Sequence, residues 1–86
     1  MTTNRTTLED IRGYAAARRI RVTSHGRRRM SERGVTYADL RYGLMNATAC
    51  EQRANDRWNV ESTDVSGDPL TAVILFWDGL LVVTVF

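Results

Sequence analysis

His25, Arg29 and Arg33 recur at four-residue intervals in the run Ser24-His-Gly-Arg-Arg-Arg-Met-Ser-Glu-Arg-Gly34. On an α-helix each such step advances only about 40°, so an imidazole and two guanidiniums line one stripe. A titratable ring beside fixed cations suits work on RNA: the cations hold phosphate oxygens while the ring moves a proton. His25 is the candidate general base or acid for attack by a ribose 2′-hydroxyl, which would leave a 2′,3′-cyclic phosphate. Arg29 and Arg33 are the candidate ligands of the scissile phosphate, and Arg28 is a further RNA contact. Arg53, Arg57 and Trp58 lie across a later hairpin, where a base could stack on the indole while arginine holds phosphate. The bland alternative is a solvated helix face, its arginine stems lying over the core and its charges paired with Glu32 or Asp39.

Something must position these side chains. Thr6 and Glu9 have the spacing of a capping box, and Leu8, Ile11 and Ala15 follow at helical intervals, predicting a first helix to about Arg18. Ile20 to Thr23 reads as a brief strand or extended connector. Ser24 is a candidate cap for the helix that carries the stripe, and Gly34 is placed to end it in the left-handed conformation. Thr36 and Asp39 predict a capping box for a third helix, with Val35 and Leu40 as a hydrophobic staple and Tyr37, Leu40, Leu44 and Ala47 as its apolar stripe. Four strands are expected after it: Cys50 to Ala54, Arg57 to Asp64, Leu70 to Trp77 and Leu80 to Phe86. Asn55-Asp56 and Ser66 to Pro69 mark turns, and Asp78-Gly79 predicts a two-residue type I′ hairpin. The fold class expected is α+β, with N-terminal helices on one face of a four-stranded antiparallel sheet.

Length and charge bound the function classes. A chain of 86 residues has room for one domain, residues 1 to 86, with one modest core. The net charge of +2 conceals a split. Residues 1 to 53 carry eleven Arg against five acids, and residues 54 to 86 carry one Arg against five acids. The basic half is where an anionic partner is expected. All twelve basic residues are Arg, which excludes Schiff-base, P-loop and general-base lysine chemistry. Arginine suits bidentate contact with phosphate. One cysteine, Cys50, and one histidine offer neither an internal disulfide nor zinc-ligand spacing, so no metal and no cofactor is expected. The polar N-terminus and the short apolar runs predict a cytoplasmic protein with no membrane partner.

The run from His25 to Thr36 resembles a small bacterial domain family with the pattern H-A-x-x-R-M-x-x-R-G-I-[ST], grouped with the MqsR-like and RelE-like toxins of type II toxin-antitoxin systems. Arg57-Trp58-Asn-Val60 is similar to that family's R-[YW]-x-V strand, and Val82-Val-Thr-Val-Phe86 to its closing V-[IV]-T-V-[YF] strand. The likeness covers roughly residues 7 to 86, with Gly26 in place of the usual Ala and Val35 in place of the usual Ile. It implies helices over a twisted antiparallel sheet and a nucleic-acid-directed activity.

The leading expectation is therefore a toxin-like, metal-independent endoribonuclease, an mRNA interferase acting on RNA and held by a cognate antitoxin protein. The alternative is a non-catalytic module that uses the same basic helix face to hold nucleic acid or a protein. A third reading is a regulatory partner in a two-protein operon. An open sheet edge is expected to take a partner segment or to pair in a homodimer.

Overall fold

The computed structural model describes residues 5 to 86. Three helices come first: α1 (Arg5–Ala16), α2 (Ser24–Arg33) and α3 (Tyr37–Met45), with a short strand β1 (Ile20–Val22) between α1 and α2. Four strands follow, β2 (Ala49–Gln52), β3 (Trp58–Thr63), β4 (Pro69–Phe76) and β5 (Leu80–Val85).

Local chemistry sets most of these ends. Thr36 and Asp39 form the reciprocal capping box at the start of α3, and Gly34, at φ 67°, closes α2 with its N–H on the Met30 and Ser31 carbonyls. The expected cap at Thr6 is corrected: α1 is already under way at Arg5, so Thr6 lies inside it. Ser24 is likewise inside α2, whose cap is Thr23; its extended backbone turns the hydroxyl onto the Gly26 N–H. Helix α1 ends with Arg18 at φ 62° while the Arg19 N–H reaches back to the Tyr14 carbonyl, a Schellman closure on a residue with a side chain.

The sheet has five strands in the order β1-β5-β4-β3-β2, and it is mixed, which corrects the expectation of four antiparallel strands. Strand β1 pairs parallel with β5, Ile20 opposite Leu80 and Val22 opposite Val82; the remaining pairs are antiparallel. The cause lies in the hairpin between β4 and β5. Gly79, at φ 104°, would set a Cβ 2.6 Å from the Arg19 carbonyl oxygen; bare, it lets the chain leaving α1 pass close enough for Arg19 to accept the Leu80 N–H. That connection is longer than expected. Asp78 and Gly79 both have positive φ, but Phe76 is the residue opposite Leu80, so Trp77 to Gly79 form a three-residue loop. At Asn55-Asp56 the expected turn is present, both residues having φ near 60°.

A bulge interrupts β5. Val82 faces Ile74 and Thr84 faces Val73, so Val83 is the extra residue. The slip sends both Val82 and Val85 into the core, where neither has exposed surface. One cluster joins the helices to one sheet face: Leu8, Ile11 and Ala15 of α1, Met30 of α2, and Leu40 and Leu44 of α3 meet Val60, Leu70, Ala72, Ile74, Leu80, Val82 and Val85. Val73, buried but outside that cluster, belongs to the opposite face. Two arginines tie the helices together. Arg12 donates to the Ala47 carbonyl, and Arg41 donates to the Ala15 and Ala16 carbonyls at the end of α1.

Candidate nucleic-acid interface

Helix α2 contributes little to the core, with Gly26 and Met30 as its buried residues. Backbone contacts hold it instead. A Cβ at Gly26 would stand 2.8 Å from Val22 Cγ1 and 2.9 Å from the Val82 carbonyl oxygen, so the bare glycine lets α2 lie directly on the Val22 side chain of β1 and the backbone of β5. Thr23 secures its start: its N–H donates to the Val82 carbonyl, and its hydroxyl donates to the Val83 carbonyl at the bulge while accepting from Gly26. The bulge thus turns a carbonyl toward the helix cap, and His25 sits two residues after that anchor.

The expected stripe is present. His25 and Arg33 are exposed and Arg29 half-buried on a regular helix, so their directions advance by about 40° per step. Four arginines against Glu32 leave α2 a formal +3, with His25 neutral. Arg29 pairs with Glu32 at 3.2 Å, whereas His25, Arg27, Arg28 and Arg33 have no side-chain hydrogen bond or ion pair among the described residues. Pairing with Asp39 does not occur. That carboxylate accepts from the Thr36 N–H and hydroxyl, which holds it below its ordinary pKa, with a weaker contribution from the Val65 N–H.

The arginines of α2 spread around the helix. Arg27, Arg28 and Arg29 are consecutive, so they fan over about 200° of the helix circumference. His25, Arg28, Arg29 and Arg33 line neither the hollow at Arg53 and Arg57 nor the groove between β1 and α2. Such a face can neutralise a run of phosphates.

The second group of candidates is elsewhere. Arg53 and Arg57 border a hollow of about 190 Å³ shared with Val73, Thr84 and Phe86, on the sheet face turned away from the helices. Arg53 also donates to Asn59 Oδ1 at 3.1 Å. Trp58 does not join them. It alternates to the other face, half-buried against the core, with its ring edge-on to Phe76. A base stacked on this indole and a phosphate held by Arg53 and Arg57 would therefore lie on opposite sides of the sheet. Of the tyrosines, Tyr14 packs on the core, and Tyr37 and Tyr42 are exposed.

Sequence reasoning missed one groove. A mainly apolar groove of about 700 Å³ runs between β1 and the flank of α2 that carries Arg27 and Ser31. The signal available was Arg27-Met30-Ser31, the other flank of the same helix, but the groove's second wall is β1, whose place in the sheet depends on β5.

Among the described residues no cluster of three or more His, Cys, Asp or Glu could hold a metal, and no helix is long and apolar enough to cross a membrane. Cys50 is buried. No family model, curated protein or solved structure matches this chain.

Proposed function

We propose that this chain is an RNA-binding domain of the toxin-like kind, which holds the phosphate backbone on the outer face of α2. The observation that carries the reading is the economy of that helix: it buries Gly26 and Met30 and carries Arg28, Arg29 and Arg33 outside the groove that Arg27 borders, with Glu32 the one carboxylate beside them. The resemblance of the His25 to Thr36 run supports RNA as the polyanion and a cognate antitoxin as the protein partner in the cytoplasm. Binding of a labelled single-stranded RNA, measured across salt concentrations, tests it. Arg28→Ala, Arg29→Ala and Arg33→Ala should each weaken binding and flatten the dependence of log affinity on log salt by about 0.7, the contribution of one single-strand phosphate contact. Unchanged slopes with a lowered melting temperature would assign these arginines to the fold instead.

His25 favours a second reading, a metal-independent endoribonuclease. Its ring is exposed, carries no hydrogen bond among the described residues, and stands one helical turn before Arg29. Cleavage that leaves 2′,3′-cyclic phosphate ends and falls by ~10² to 10⁴ in His25→Ala would support it. RNA that is bound but never cut leaves the binding reading alone.

A further inference from the structure

We infer that the free edge of β1 takes up an extended, acidic and apolar segment of a protein partner as a sixth strand. Strand β1 is one of the two edge strands of the sheet, and among the described residues it pairs on one side alone. Arg19 accepts from Leu80 and Thr23 donates to Val82, so Arg19, Arg21 and Thr23 turn their backbone groups toward β5. In a parallel ladder the intervening residues face the other way, which directs the N–H and C=O of Ile20 and Val22 outward. They border the 700 Å³ groove, whose apolar surface includes Ile20, Val22, Met30 and Val35. An edge of unpaired amides beside an apolar trough is what strand addition requires: the main chain supplies hydrogen bonds, and alternate side chains fill the trough.

Charge selects the occupant. Arg21 and Arg27 border the groove and no carboxylate lines it. The Arg21 guanidinium donates to the Trp77 carbonyl, while Arg27 is without a partner among the described residues. A second copy pairing antiparallel across this edge would set Arg21 and Arg27 against their own equivalents, a like-charge contact that opposes self-association. A partner strand alternating apolar and acidic residues meets both demands. The inference does not rest on the RNA reading, because Arg27 and the groove lie on the flank of α2 away from Arg29.

The test uses a fluorescent peptide of about six residues, the usual strand length, alternating Val and Glu. Two controls accompany it, one with Lys for Glu and one N-methylated at alternate amides. The acidic peptide should bind, and N-methylation should weaken it roughly tenfold or more by removing main-chain hydrogen bonds. Arg27→Glu should weaken it comparably while RNA binding through Arg29 and Arg33 persists. Val22→Pro removes an outward N–H and should abolish binding; if that variant fails to fold, the N-methylated peptide on the natural chain asks the same question. Equal affinity for plain and N-methylated peptides would overturn strand addition. A dimer in light scattering that no peptide dissociates would assign the edge to a second copy. Displacement of the peptide by RNA, with loss of RNA binding in Arg27→Glu, would make the groove a nucleic-acid site and overturn the proposal.

Discussion

Helices α2 and α3 follow one another with Gly34 to Thr36 between them, each begins at a threonine cap, and they differ by one residue in length. What holds them differs. Helix α3 buries Leu40, Gly43 and Leu44, and Gly43 brings it against Ser62 and Thr63 of β3. Helix α2 buries a glycine and one methionine and depends on Thr23, on the close approach at Gly26 and on the Gly34 closure. A helix anchored through its backbone needs few apolar side chains, which frees the rest of its surface for charge. That is a structural reason why the basic residues without partners can collect on α2, whereas Arg12 is committed to the Ala47 carbonyl just after α3 and Arg41 to the carbonyls at the end of α1.

This contrast can be broken by substitution. Leu44→Ala, at a position with 1% exposure, should cost about 3 to 4 kcal/mol in denaturant unfolding, since it removes apolar surface and leaves a cavity under α3. If the loss is below that of a surface substitution, α3 is not held by burial. Thr23→Val keeps the shape but removes the hydroxyl shared by Gly26 and Val83. A loss of about 1 to 2 kcal/mol is expected. Amide exchange should be faster in the first turn of α2 than in α3, and uniform change across both helices would deny the cap its local role.

The smallest effect concerns the α3 cap. The folded protein holds Asp39 ionised by the Thr36 N–H and hydroxyl, so its pKa is lower folded than unfolded. The stability this contributes is complete above the unfolded carboxylate pKa and is lost as the pH falls through the folded one. Asp39→Asn should therefore melt slightly below the natural chain at neutral pH, with the gap closing in acid. A gap that is constant with pH would mean that the carboxylate charge is not what Thr36 stabilises.

What could be read from the sequence alone was local. Gly34, the Thr36 and Asp39 pair and Asn55-Asp56 specify helix ends and turns, because caps and turns are satisfied within a few residues. The stripe of His25, Arg29 and Arg33 was legible for the same reason, helical periodicity being a property of the segment itself. The tertiary structure decided the rest. Three residues, Ile20 to Val22, carry too little signal to choose between connector and strand; β1 becomes a strand because β5, about sixty residues away in sequence, offers it an unpaired edge at a glycine bare enough to approach. The bulge at Val83, the closeness of Gly26 to Val82 and the turning of Trp58 toward the core, away from Arg53 and Arg57, all depend on partners distant in sequence. Those contacts also determine that a groove lies between β1 and the flank of α2 that carries Arg27, away from Arg29.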